Sequence, residues 1–314
     1  MPVVLDPDAA AVLQFIRDAG RPRFDDNLSV AEARALYLGA RAAVNPEPPP
    51  IASVQPFVIT GPGGAIAARL YRPQTLRQTD GLSPCLIFFH GGGWVIGDLD
   101  THDVVCRTLA HEGEMLVISV DYRLAPERKF PAAADDAIVA TDWIAEHALR
   151  FDIDTTRLTV GGDSAGGNLA AIVALHARKN GPKIAAQVLI YPATEMAASH
   201  PSHREPETSC LLTHESIVWF QKHYLSDRAD ADDWRASPAR IDDLAGLPPA
   251  YVITAGADPL RDEGDEYARR LQDAGIATVH KTYPGQFHGF ITMGKLLPKA
   301  GEALRDIGAW LKSL

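Results

Sequence analysis

The apolar positions of this chain fall into two textures on either side of a proline-rich stretch. Before it, Val12, Phe15 and Ile16 lie on one face of a helical pattern over residues 7–20, with Pro7 near the start and Gly20 past the end. Ser29 followed by Glu32 has the spacing of a capping box, predicting a second helix over residues 29–44. Residues 46–50 (Pro-Glu-Pro-Pro-Pro) then stop the helix and form a stiff linker. Beyond the linker, residues 54–60 and 66–72 read as a hairpin around Gly61-Pro62-Gly63-Gly64. Buried-strand runs follow at 85–89, 116–120, 158–161, 188–191 and 251–255, with a weaker one at 278–283. Helical stretches lie between most of them, at 101–112, 132–149, 165–179 and 262–274. Strand alternating with helix predicts an α/β fold, a mostly parallel sheet with helices on both faces. Residues 195–234 break that rhythm between two core strands and read as an inserted lid.

Composition narrows the class without naming a chemistry. The 314 residues are 46% hydrophobic and 22% charged, as in an ordinary globular chain long enough for a large core. A net charge of -10 argues against nucleic acid or an anionic membrane as the main partner. No apolar run reaches the roughly 18 residues of a membrane span, and residues 1–10 show no basic, signal-like start. Cys85, Cys106 and Cys210 are widely spaced, and two lie in apolar segments, which favours free thiols in a reducing compartment; the expected location is cytoplasmic.

Candidate chemistry gathers where strands end. Residues 158–169 read as strand, tight turn and helix, with Gly162 and Gly166 flanking Ser164 in a G-x-S-x-G spacing. Such a turn lifts a serine hydroxyl clear of its backbone, where a base can reach it, and aims a helix N-terminus at whatever binds there. The plainer reading is a glycine-rich turn that cradles a phosphate. After the 85–89 strand, His90-Gly91-Gly92-Gly93-Trp94 offers consecutive N–H groups suited to an oxyanion, with His90 as a structural hydrogen-bonder; a flexible loop is the alternative. Asp258 stands at the turn after the 251–255 strand, while Asp262, Glu263 and Asp265 open the next helix. His288 follows the last strand on the glycine-hinged stretch 285–290. His200 and His203 could form half a metal site, but a proline stands between them and no H-E-x-x-H pattern is present; no nucleotide-binding glycine motif follows a strand. Residues 121–127 read as a salt-bridged structural loop.

Taken together these pieces resemble the bacterial esterases of the hormone-sensitive lipase family, in the G-D-S-A-G subgroup. The resemblance rests on His90-Gly91-Gly92-Gly93, on residues 121–127 with Phe130-Pro131, on Gly162-Asp163-Ser164-Ala165-Gly166, on Asp258-Pro259-Leu260 and on His288-Gly289-Phe290. It implies an α/β-hydrolase fold and a cofactor-free carboxylesterase acting on short- to medium-chain esters. Ser164 would be the nucleophile, His288 the base and Asp258 the orienting acid, with N–H groups of Gly92, Gly93 and Ala165 as the oxyanion hole. The serine–acid–histidine chain order agrees. The expected organisation is N-terminal cap helices (1–45), a catalytic core in two parts (46–194 and 235–314) and a cap insertion (195–234). The partner is a small-molecule ester, with a homodimer common in the family. An amidase using the same triad, or a non-catalytic receptor on the same fold, are the rival readings.

Overall fold

A computed structural model describes residues 3–20, 24, 27–197, 200–205 and 210–314. The parts of the expected insertion at 198–199 and 206–209, and of the N-terminal segment at 1–2, 21–23 and 25–26, lie outside the described residues.

Among the described residues eight strands form one sheet: β1 (Ile51–Gly61), β2 (Gly64–Pro73), β3 (Ser83–Phe89), β4 (Leu116–Asp121), β5 (Ile153–Asp163), β6 (Ala186–Ile190), β7 (Ala250–Ala257) and β8 (Thr278–Phe287). Their order is β1-β2-β4-β3-β5-β6-β7-β8. The β1–β2 hairpin closes at Gly61↔Gly64, and β2 runs antiparallel to β4; every pairing from β4 through β8 is parallel. The helices are α1 (Pro7–Asp18), α2 (Val30–Gly39), α3 (Arg41–Val44), α4 (Asp103–Gly113), α5 (Ala132–Glu146), α6 (Ala165–Asn180), α7 (His214–Tyr224), α8 (Arg261–Asp273) and α9 (Pro298–Ser313).

The period-two alternation of β3 divides the core. Leu86 and Phe88 join a cluster with α1, α4 and α9; Ile87 and Phe89 join the larger cluster built with α5, α6 and α8. With both faces covered, every residue of β3 and β7 is buried, which explains their unbroken apolar runs.

Several elements depart from the pattern expected of the sequence. The 29–44 helix divides after Gly39, a weak helix former, and Ala43 N–H donates to Ala40 in a tighter turn. Its N-terminus carries the full Ser29–Glu32 capping box. The 132–149 helix stops at Glu146 and gives way to a 3-10 turn at Ala148–Phe151. α7 and α9 stand outside the helices that the sequence pattern predicts. α7 lies inside 195–234, opened by Thr213, whose side chain accepts the Ser216 N–H. α9 buries Ala300, Ala303, Leu304, Ile307 and Leu311, one stripe at helical spacing.

Candidate active site

The elbow at Ser164 follows from what surrounds it. β5 runs through Asp163, and α6 begins at Ala165, leaving Ser164 between them at φ 55° and ψ -118°. A positive φ is costly for a residue with a side chain and persists only when neighbours over-determine it. Here the Ser164 N–H donates to Ile190 O at 2.8 Å, and Ser164 O accepts from Asn168 N–H at 3.0 Å. The flanking glycines are required by close approach. A Cβ on Gly166 would sit 1.8 Å from Phe89 O, and one on Gly162 would sit 2.4 Å from the same oxygen.

Three side chains from distant parts of the chain converge at this turn. Ser164 Oγ lies 2.8 Å from His288 Nε2, and His288 Nδ1 lies 2.7 Å from Asp258 Oδ2. Asp258 is fully buried at the end of β7, where its other oxygen accepts the Leu260 N–H at 2.8 Å. Asp262 does not join them; it accepts the Ser202 N–H at 2.9 Å and pairs with Arg261. The glycine-hinged loop expected around His288 is shorter than expected, turning at Gly289 with φ 84° and not at Gly285. β8 continues through Gly285, Gln286 and Phe287, so His288 follows directly on a strand. That strand end is pinned by Asp6, whose N–H donates to Gly285 O at 2.9 Å and whose carboxylate accepts from Gln286 Nε2 at 2.9 Å.

The loop after β3 turns sharply over the serine. Gly92, Gly93 and Trp94 have φ of 125°, 57° and 60°, and Gly92 O accepts the N–H groups of both Val95 and Ile96. At its base the Gly91 N–H donates to Asp163 Oδ1 at 2.8 Å, locking the loop to the residue before Ser164. Ala165 is buried as the first helical residue, where α6 has no intrahelical acceptor for its N–H groups.

Asp163 is a buried carboxylate held by several partners. Burial alone would raise its pKa, yet His102, 3.1 Å away, and the Gly91 N–H keep it below the ordinary carboxylate value. His90 is also fully buried, stacked on Tyr122 with ring centres 4.3 Å apart. Burial, followed by the neighbouring His102, pushes its pKa down to about 4, so it is a neutral hydrogen-bonding imidazole as expected.

Sequence reasoning missed further groups. Glu263 is not simply a helix-start charge: it is 1% exposed, accepts Thr194 N–H with one oxygen and meets His203 Nε2 at 2.6 Å with the other. His203, offered as half a metal site, thereby joins the pocket wall. His102 and Asp163 lie 61 positions apart, with no spacing signal to link them. The 121–127 loop is salt-bridged as expected, through Arg123 to Asp136 and Glu127 to Arg34.

Ser164 and His288 open into a cavity of about 120 Å³, which Gly92 and Gly93 also line. Its roof and walls are mostly apolar, including Phe24 and Tyr37 from the N-terminal segment and Ile217 and Phe220 from α7. Such a site is suited to nucleophilic attack on an apolar substrate's carbonyl, with hydrogen-bond donors beside the new charge.

Comparison with known proteins agrees with this geometry. A family model described as an alpha/beta hydrolase fold matches residues 86–292. The carboxylic ester hydrolase LipN of Mycobacterium tuberculosis is 41% identical over 299 residues, covering 93% of this chain and 78% of that protein. An ethyl acetate hydrolase of Pseudomonas putida is 38% identical over 310 residues, covering 96% of each. Among solved structures, a hyperthermophilic esterase from the archaeon Pyrobaculum calidifontis superposes with a TM-score of 0.91 at 41% identity, covering 100% of this chain and 99% of that one. Matched along its length by both sequence and structure, the chain belongs to the α/β-hydrolase fold family and to its hormone-sensitive-lipase-type branch.

Proposed function

We propose that the protein is a carboxylesterase that hydrolyses short- to medium-chain carboxylic esters through an acyl-enzyme on Ser164. The observation that carries this reading is the continuous relay Ser164–His288–Asp258, at 2.8 and 2.7 Å, opening into an apolar cavity. Asp258 holds the His288 Nδ1–H, which leaves Nε2 as an acceptor for the serine proton. Ser164 Oγ attacks the ester carbonyl as that proton moves to Nε2. The charge collecting on the carbonyl oxygen meets the N–H groups of Gly92, Gly93 and Ala165. Collapse breaks the bond to the alcohol, which leaves with the proton from Nε2. Water then loses a proton to Nε2, attacks the acyl group and frees Ser164 and the acid. No step asks for a cofactor or metal.

In this reading residues 1–45 and 195–234 form a cap over a core of 46–194 and 235–314. Support comes from Phe24, Tyr37, Ile217 and Phe220, which line the cavity from those two segments. Among the described residues no helix is long and apolar enough to cross a membrane. Cys85 and Cys106 are buried free thiols with pKa values raised by burial, which suits a reducing compartment such as the cytoplasm. The test is a panel of p-nitrophenyl esters of rising acyl length beside the matched p-nitroanilides. The reading expects turnover of the short and medium esters and little of the anilides. Preference for the anilides would establish the amidase instead, and no turnover of either class would point to a receptor.

A further inference from the structure

We propose that Arg34, on the N-terminal helix α2, is a positioning residue for the oxyanion loop. The inference rests on the ester-hydrolysis reading and deepens it. Arg34 Nε donates to Val95 O at 2.9 Å, and one terminal nitrogen donates to Ala125 O at 3.0 Å. Its remaining donors form a two-point contact with Glu127 at 2.7 and 2.8 Å. That contact holds the Glu127 carboxyl down to about 2, against an ordinary value of 4.5. The planar guanidinium is thus used as a rigid fork that sets three groups at once.

What those groups hold is the strained turn over Ser164. Gly92, Gly93 and Trp94 all have positive φ, and Trp94 lacks the freedom that excuses the glycines. A residue so placed relaxes unless it is held from outside. Trp94 is held by three contacts: its carbonyl accepts the Ala125 N–H at 2.8 Å, its ring stacks on Tyr224 with centres 4.4 Å apart, and the next carbonyl, Val95 O, is taken by Arg34. Arg34 also grips Ala125 O, so it steadies both the loop and the segment that braces it. One turn along α2, Tyr37 lines the same cavity, so the helix that carries the brace also borders the substrate. The N–H groups of Gly92 and Gly93 are fixed peptide planes in this turn. Tilting them changes how they meet an oxyanion while leaving the apolar cavity in place.

The brace therefore acts on the transition state more than on substrate binding. Arg34→Ala is expected to lower kcat on a short-chain p-nitrophenyl ester by about 10–100-fold, the scale of a misplacement near 1 Å, with KM changed less than about three-fold. Affinity for a chain-matched trifluoromethyl ketone, whose adduct on Ser164 carries the same oxyanion, should fall in parallel with kcat. Arg34→Lys, which keeps the charge but cannot fork to both carbonyls, should fall between the two. If Arg34→Ala does not fold, as judged by circular dichroism, the lysine variant decides on the same readouts. A rise in KM with kcat unchanged, or ketone affinity equal to wild type, would mean that Arg34 only anchors the cap and would overturn the inference. Ser164→Ala, run alongside, separates the two levels: turnover surviving in that variant would sink the esterase reading itself, whereas Arg34 variants that match wild type sink only the brace.

Discussion

Adding a methyl group at Gly93 tests whether α7 leans directly on the loop after β3. A Cβ there would lie 2.3, 2.4 and 2.8 Å from three ring carbons of Phe220, so the ring must retreat by more than about 1 Å to reach ordinary contact. Phe220 has little room, being 7% exposed and packed against Phe24 at 5.4 Å and Trp219 at 5.0 Å between ring centres. Crowding of that kind costs about 1–3 kcal/mol. The backbone contributes separately, because φ 57° places an L-residue in the left-handed region at about 1 kcal/mol. Gly93→Ala should therefore destabilise the protein by about 2–4 kcal/mol. Phe220→Ala alone should cost about 3 kcal/mol through lost packing. In that second background the clash is gone, and Gly93→Ala should cost only the backbone share of about 1 kcal/mol. Urea unfolding of the four proteins measures the cycle. It should show relief of about 1–3 kcal/mol in the double variant, well outside the spread of independent sites. Equal costs of Gly93→Ala in both backgrounds would refute the contact.

Asp258→Asn should lower turnover by about 10⁴, the cost of losing the orienting acid, while Asp262→Asn should cost less than about ten-fold; steady-state kinetics reversing that order would overturn the choice of acid. His90 links stability to acidity. Its folded pKa of about 4 lies below the ordinary 6.5, so between those values the unfolded chain binds a proton that the native one refuses, and stability falls as pH falls. The loss should reach about 3 kcal/mol by pH 4, and unfolding of His90→Asn at pH 7 and pH 4 should show a shallower fall than wild type; identical slopes would refute it. Removing residues 1–45 takes away Tyr37 from the cavity wall and Asp6 from the strand end before His288. With circular dichroism showing a folded core, turnover should drop and acyl-length preference change, and unchanged kinetics on every ester would leave the segment no role at the site.

The parts of this molecule legible in the sequence are those whose cause is local. Buried parallel strands announce themselves as apolar runs, and the elbow glycines must be glycine because a Cβ would meet Phe89 O. Asp258 and His288 could be picked out because each follows a strand end, where such sheets bind ligands. What stayed hidden depends on distant partners. Glu263 looks like any acid at a helix start until His203 and the Thr194 N–H arrive from the segment after β6. Arg34 has the pattern of a surface residue on a capped helix, and nothing near it points to Val95 O, 61 positions away. The α9 stripe was present in the sequence, but only the face it covers, alongside α4, shows which core it completes. Of the glycine-hinged stretch expected at 285–290, Gly289 does turn at φ 84°, whereas strand pairing and Asp6 hold Gly285 in β8.

The central claim is that Ser164 is the nucleophile that carries the acyl group. A fluorophosphonate offered to the intact protein tests it directly, with intact-mass measurement for stoichiometry and peptide mapping for position. One label per chain is expected, on Ser164, with parallel loss of esterase activity, and no label on Ser164→Ala. Label on a different serine of the intact protein, or full ester turnover by Ser164→Ala, would contradict it.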